Sequence, residues 1–500
     1  MKTIIRLISL LLLLALPCAA LAAKDGYHTS YTYNYDYWGD IRESPDAYKV
    51  NQVLYSSTLG LETPMRRPQS LFVRGNMLYV CDTGNNRILE IAREGDVFTL
   101  VRIIDSVSGT TPSTFNSPSD VAVDEEGCLY VCDTQNNRVI KMDAQLNFIR
   151  EYTKPDDSTF DQTLSFLPRR LAVDSSGRVF VLATNVNKGI IKYDTDGSFT
   201  GFTGANPVSV SMWDYVWKMF FTTKAQRAQQ ESFVPTEYEN ICIDKEGFLF
   251  ATNTNFEEYD LLVDGAKPIR RLNSIGNDIL IKNDHYAPVG DLQWVEQSID
   301  KGPSKFKDIT VFDNGVYVAF DRTRGRLFGY DPQGIMLWAF GNKDNSAGSF
   351  LAPVSLEHMG QDLLALDENG ASITVFSVTQ YGSLIYEALD QYLTGQYDES
   401  ADTWSEVLRF NANYSPAYVG MGRAMMRQEN YGEAMDYFKM AFDRENYGRA
   451  YRYFRKELVE DNIVILAVGV AALLIVPLIL GGVKGMKREV EEHERKKHRR

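Results

Sequence analysis

Histidine, the side chain most often used to move protons or hold a metal near neutral pH, occurs only five times, as His28, His285, His358, His493 and His498. Two of these stand in a basic C-terminal tail and one near the N-terminus, so a three-histidine metal site is excluded. Carboxylates are plentiful, and a calcium ion held by Asp, Glu and Asn oxygens stays open, although no pair has diagnostic spacing. There is no Gly-x-Ser-x-Gly, no His-Glu-x-x-His and no Walker loop. Of Cys81, Cys128, Cys132 and Cys242, three lie in predicted strands at core-facing places, and they read as small buried hydrophobes, not nucleophiles or ligands. No catalytic residue and no metal ligand is assigned, and no cofactor is required. The residues left for binding are Arg169, Arg170 and Lys307, which stand beside the first strands of repeated units. A second set is Trp213, Trp217 and Phe220, an apolar stripe at helical spacing flanked by Lys218, Lys224 and Arg227. That stripe either caps the fold or presents an exposed docking helix.

The elements that must position these residues come from a repeat. Around Pro68 the chain reads RPQSLFVRGNMLYVCDTGNNRILEI, around Pro118 SPSDVAVDEEGCLYVCDTQNNRVIKM, and around Pro168 LPRRLAVDSSGRVFVLATNVNKGIIKY. The prolines are 50 apart. Each unit is a short strand, an Asp-x-x-Gly turn in the second and third copies, an apolar strand, a polar turn and another strand. Weaker copies lie near Asp244, Asp313 and Leu364. Six such units hide their sheet edges by closing radially, which predicts a six-bladed β-propeller over residues 24–378, with an insertion at about 203–235. Residues Tyr48 to Ser57 are expected to add an outer strand to the last blade and tie the ring shut.

These units resemble the NHL repeat, most clearly in VAVDEEGCLYVCDTQNNRVIKM. The resemblance implies that Asp82 with Arg87, and Asp133 with Arg138, are structural, the carboxylate capping its turn and pairing with the guanidinium of its own blade. It also brings in an alternative function, a metal-dependent lactonase-like hydrolase at one channel mouth. On balance the residues point away from an enzyme.

Beyond the propeller, Tyr418, Met421, Gly422, Ala434, Phe438 and Ala441 fall on the large, small and turn positions of a tetratricopeptide repeat. A fainter copy 34 residues upstream places Ala388, Ser400 and Trp404 at matching positions, giving tetratricopeptide-like helices over 379–460. Such hairpins bind a protein partner or serve as a stalk.

Two segments set the address. Lys2 and Arg6 precede an apolar run from Leu7 to Pro17 and the small residues Ala20 to Ala22, which reads as a signal peptide over 1–23. Ile463 to Leu480 has no polar side chain, and basic residues follow it, so 462–483 reads as a transmembrane helix and 484–500 as a basic cytoplasmic tail. The expected topology is single-pass type I at the cell membrane, with propeller and helical repeats extracytoplasmic. The formal charge is -14; two cations in the first 23 residues and a net +4 in the last 17 leave about -20 on the body, which argues against a nucleic-acid partner. The whole order of parts resembles bacterial membrane-anchored NHL-repeat proteins found beside carbohydrate ABC-transporter components. That resemblance implies an accessory binding role, toward transporter subunits or a glycan.

Overall fold

The second strand of a blade is packed on both faces: all five residues of LYVCD at Leu129–Asp133 are buried. The computed structural model describes residues 32–497 apart from 37, 158, 159, 161, 164, 185, 187, 205–237, 257–259, 262–266, 282–287, 293–301 and 347. The signal peptide expected over 1–23 and the stripe of Trp213, Trp217 and Phe220 lie outside the described residues.

Three N-terminal strands, β1 (Thr32–Tyr35), β2 (Ile41–Ser44) and β3 (Tyr48–Leu54), precede the first blade. Blade one is β4 (Ser70–Arg74), β5 (Met77–Asp82), β6 (Arg87–Glu94) and β7 (Val97–Ile104). Blade two is β8 (Pro118–Val123), β9 (Leu129–Asp133), β10 (Arg138–Met142) and β11 (Phe148–Tyr152). Blade three is β12 (Leu167–Val173), β13 (Val179–Thr184), β14 (Ile190–Tyr193) and β15 (Phe199–Thr203). Blade four shows three strands among the described residues, β16 (Tyr238–Ile243), β17 (Leu249–Asn253) and β18 (Ile269–Leu272). Blade five is β19 (Phe306–Val311), β20 (Tyr317–Asp321), β21 (Arg326–Tyr330) and β22 (Met336–Gly341); blade six is β23 (Pro353–Met359), β24 (Asp362–Asp367) and β25 (Ser372–Val378).

The first strand of each blade touches the first strand of the next, and β23 touches β4, so the six sheets close into a ring: the chain is a six-bladed β-propeller. Closure is a strand addition. β3 pairs antiparallel with β25, Leu54 opposite Ile373 and Tyr48 opposite Val378, at the place expected of residues 48–57. A second addition was not expected. β1 and β2 extend blade five outward from β22, with Tyr33 opposite Ala339. The sequence TYNY hides it because its apolar surface belongs to tyrosines with polar ends: Tyr33 Oη and Tyr35 Oη donate to Asp291 Oδ1 at 2.7 and 2.5 Å, and Arg326 pairs with the same carboxylate. The core is spread between blades, one cluster joining blades six and one through Leu54, Leu89, Leu364 and Val375, another joining one and two through Cys81, Ile88, Val121 and Ile140.

The chain divides into two compact units, residues 1–384 and 385–500. Six helices follow the propeller strands: α1 (Gln380–Leu393), α2 (Tyr397–Phe410), α3 (Ser415–Arg427), α4 (Tyr431–Met440), α5 (Arg444–Asp461) and α6 (Ile463–Lys497). From α2 to α5 each helix packs on the next. The small residues foreseen at contacts are there: a Cβ on Gly422 would lie 2.6 Å from the Phe438 ring, Ala388 and Ala434 are fully buried, and Ser400 Oγ donates to Ala388 O at 2.8 Å. α6 is long and apolar enough to cross a membrane, with a window of mean hydropathy 3.2. It runs on through the basic tail to Lys497, where REVEEHERKK supplies strong helix formers and opposite charges at helical spacing.

Candidate binding site at the channel mouth

The first strands of the blades line the centre, and five of them carry the same irregularity. Register slips between Pro118 and Asp120, Pro168 and Arg170, Tyr238 and Asn240, Phe306 and Asp308, and Pro353 and Ser355. Each slip leaves one residue outside the ladder and re-aims it. In blades three, four and five those residues are Arg169, Glu239 and Lys307, and their side chains meet: Arg169 Nη1 lies 3.3 Å from Glu239 Oε2, and Lys307 Nζ donates to Glu239 Oε1. Arg169 Nη2 also donates to Tyr238 O at 2.6 Å. Burial by itself would raise the Glu239 carboxyl, but Lys307 and Arg169 outweigh it and hold the group down to about 2. Burial lowers the Lys307 ammonium, Glu239 opposes that, and Arg170 adds to it.

One residue further along, Ser70, Asp120, Arg170, Asn240, Asp308 and Ser355 form a buried polar belt around the channel. Ser70 Oγ donates to Asp120 Oδ1, and Asp120 Oδ2 accepts Leu171 N from the next blade at 2.7 Å. Asp308 repeats the pattern, taking Asn240 Nδ2 on one oxygen and Leu356 N, at 2.7 Å, on the other. Leu71 N donates to Ser355 Oγ at 3.0 Å, carrying the belt across the closure. Arg170 reaches from blade three to Gln69 O, at 3.1 Å, immediately before blade one, and to Ser119 O at 2.9 Å. A side chain that joins blades one and three past blade two crosses the channel.

The belt makes a pH-dependent prediction. Desolvation lifts the Asp120 carboxyl to about 6, although Arg170, Ser70 and Leu171 N pull the other way. A carboxyl raised on folding stabilises the native state while both forms are protonated and loses that contribution as pH rises through the folded value. Between pH 4.5 and 7.5 the native protein should therefore lose on the order of 2 kcal/mol relative to an Asp120→Asn variant. Thermal unfolding of both proteins at the two pH values checks this, and an unchanged difference in Tm refutes it.

The NHL-type pairs are structural, as expected. Arg87 Nε donates to Asp82 Oδ2 at 2.7 Å and Arg138 Nε to Asp133 Oδ2 at 2.9 Å; the other carboxylate oxygens accept Arg66 N and Asn116 N. The turn aspartates Asp124, Asp174 and Asp244 each accept two backbone amides, and Gly127, Gly177 and Gly247 follow with φ of 81–84°. Cys81 and Cys132 are fully buried, and all four described cysteines are free.

Of the residues read as binding candidates, Arg169 and Lys307 meet at Glu239, whereas Arg170 is buried in the belt one residue further along. Glu239, which organises them, escaped the sequence reading, although it occupies the same slot after Tyr238 that Arg169 takes after Pro168. Asp120 and Asp308, the two carboxylates of the belt, each spend both oxygens on protein donors. No group of three or more His, Cys, Asp or Glu placed to hold a metal occurs among the described residues.

The NHL repeat family model matches residues 115–142, which is the core of blade two. The protein is thus a six-bladed β-propeller carrying an NHL repeat. A search of curated proteins finds no match. Among solved structures the chain is similar to virginiamycin B lyase from Staphylococcus aureus, at 13% identity over 69% of this chain and 87% of that one, with a TM-score of 0.39. A protein of unknown function from Bacteroides thetaiotaomicron gives 10% identity, 70% and 76% coverage and a TM-score of 0.41. A protein proposed as a gluconolactonase gives 10%, 70%, 98% and 0.40.

Proposed function

We propose that this chain is a membrane-anchored, extracytoplasmic binding protein. Its propeller takes a ligand at the mouth marked by Arg169, Arg170, Glu239 and Lys307. Its C-terminal helices, read as tetratricopeptide hairpins, engage a protein partner, and α6 holds the assembly in the membrane. The observation that carries this reading is the division of polar groups in the channel. The buried belt is consumed in blade-to-blade hydrogen bonds, whereas strand bulges gather charge at the mouth, where Arg169 keeps 34% of its side-chain surface exposed. A catalytic set needs groups whose protons are free to move, and the belt carboxylates are committed to holding the ring.

The proposed partners are permease or solute-binding subunits of a carbohydrate ABC transporter, on the strength of the order of parts: apolar N-terminal segment, propeller, paired helices, apolar helix, basic tail. Purification of the intact protein from its native membrane in mild detergent should bring those subunits with it, and deletion of residues 383–459 should abolish their capture. A partner-free preparation that hydrolyses lactones when supplied with calcium would overturn the reading in favour of an enzyme.

A further inference from the structure

Helix α5 carries its charges sorted by side. Arg449 pairs with Glu445, and Lys456 pairs with Glu460 at 3.5 Å. Arg444, Arg452 and Arg455 are exposed and have no carboxylate within ion-pair distance among the described residues. At 3.6 residues per turn these three share one side of α5 with Tyr447, Tyr451 and Leu458, and the arc they cover holds no carboxylate. Tyr451 is 47% and Leu458 50% exposed. The opposite side is the one that packs: Ala450 is fully buried, and Tyr453 stacks on Tyr431 of α4 with ring centroids 5.4 Å apart. On a strongly acidic chain, an arginine and tyrosine face free of acids is a local reversal of sign.

The short connection from this face to α6 says what covers it. α5 ends at Asp461 and α6 begins at Ile463, so Asn462 alone separates them. Asn462 leaves helical geometry, with φ -106° and ψ 13°, and its Nδ2 donates to Leu458 O at 2.9 Å, which closes α5 as a helix of its own instead of continuing it into α6. With α6 across a bilayer, Leu458 stands about 8 Å along the chain axis from the start of the span, beside the headgroup layer. A helix lying along that layer sets its tyrosines at the depth where such rings settle, and its arginines bury their stems while the guanidinium groups reach lipid phosphates. α4 then packs on the side of α5 turned away from the lipid. Three cations near an anionic surface shift such an equilibrium about a hundredfold, enough to hold down a helix that is already tethered there.

We infer that α5 is an interfacial helix that docks on the anionic lipid headgroups of the extracytoplasmic leaflet through Arg444, Arg452 and Arg455, with Tyr447, Tyr451 and Leu458 at the acyl boundary. The inference rests on the reading of α6 as the membrane anchor and goes beyond it, because the helical repeats are then held against the bilayer by their own last helix as well as by the tether.

Spin-label depth measurement on the full-length protein tests this, in nanodiscs of phosphatidylcholine alone or with one-third phosphatidylglycerol. Gly448 lies on the arginine side, and a Cβ there meets nothing within 4 Å, so Gly448→Cys labels the face without touching the residues invoked. Arg449→Cys, one position on, labels the paired side, and Leu473→Cys labels α6; the wild-type protein carried through the same labelling gives the background of its own cysteines. In discs containing phosphatidylglycerol the label at 448 should meet oxygen dissolved in the lipid and be hidden from an aqueous nickel chelate, while the label at 449 shows the reverse. In phosphatidylcholine alone, or at 1 M salt, where the screening length falls to about 3 Å, the label at 448 should return to water. Arg444→Gln, Arg452→Gln and Arg455→Gln together should abolish its lipid contact, and Lys at the same three positions should keep it, a rescue by charge that a structural role would not give. A label at 448 that stays in water in every disc, or that ignores the three Gln substitutions, overturns the docking face. Shielding of that label from both reagents assigns the face to a protein contact and overturns it equally. A label at 473 in water overturns the anchor itself, whereas 473 in lipid with 448 in water removes the role of α5 alone.

Discussion

Asp133→Ala should destabilise the propeller by about 3–5 kcal/mol, the cost of stripping one partner from a buried ion pair. Asp133 is fully buried and Arg138 is 2% exposed, so the substitution leaves the guanidinium with only the longer ionic contact of its Nη1 to Glu151 Oε2, at 3.6 Å. More than the pair is lost. Asp133 Oδ1 also holds Asn116 N at 2.8 Å and Oδ2 holds Asn136 Nδ2 at 2.8 Å, so one carboxylate fastens the approach to β8, the turn after β9 and the start of β10. Arg138 in turn donates to Pro112 O at 2.6 Å. The double variant Asp133→Ala, Arg138→Met should recover a good part of the loss, because it removes the stranded charge along with its partner. Urea unfolding of the three proteins reads this directly. If the single variant instead keeps wild-type stability and loses only ligand binding, the ring of aspartates belongs to a binding surface and not to the frame.

The same arithmetic explains why so much of the fold was legible in the sequence. A group that cannot be buried without its partner recurs wherever the frame recurs, so Asp82 with Arg87 and Asp133 with Arg138 mark their blades as clearly as the prolines do. The Asp-x-x-Gly turns are visible for the same reason, since the carboxylate needs two amides and the last position needs a positive φ. Strand β3 was foreseeable from its alternation and from the open edge that a ring must close. The pair β1 and β2 was not, because the buried Tyr33 and the half-buried Tyr35 both bond Asp291, a residue some 256 positions from Tyr35 that no local pattern connects to them.

The mouth was half legible for a related reason. Arg169 and Lys307 stand out as cations beside apolar strands, whereas Glu239 looks like one more acidic residue of an acidic chain. What distinguishes it is its place in the strand, outside the ladder between Tyr238 and Asn240. The 50-residue spacing that would have aligned it with Arg169 is broken by the longer segment between blades three and four, so Arg169 and Glu239 are 70 positions apart. Aligning first strands on the bulge, not on the proline, brings Ser119, Arg169, Glu239 and Lys307 into one row. The charge pattern of the site then follows from the sequence.

Trp404→Ala should unfold the paired helices while the propeller strands stay protected. Trp404 is 2% exposed, and the facing position on α3 is Gly420, where an added Cβ would sit 2.3 Å from the indole nitrogen. The glycine lets α2 and α3 approach until the ring fills the gap, as Phe438 does against Gly422 one step along. Removal of the indole leaves a space that Gly420 has no side chain to enter, so the site cannot collapse and the cost lies at about 3–5 kcal/mol. A small stack of helices has little stability beyond that to lose. Hydrogen exchange on the full-length protein should show residues 397–441 losing protection while β4 to β25 keep theirs, and capture of the proposed transporter subunits should fail with it. Trp404 is too deeply buried to touch a partner, so lost capture with intact helical protection would mean that the binding surface reaches into the helices along a path this packing does not provide. The converse substitution, Gly420→Val, places a branched side chain where the ring already sits and should give the same exchange pattern from overpacking. Agreement between a variant that empties the contact and one that overfills it ties partner capture to the closeness of α2 and α3.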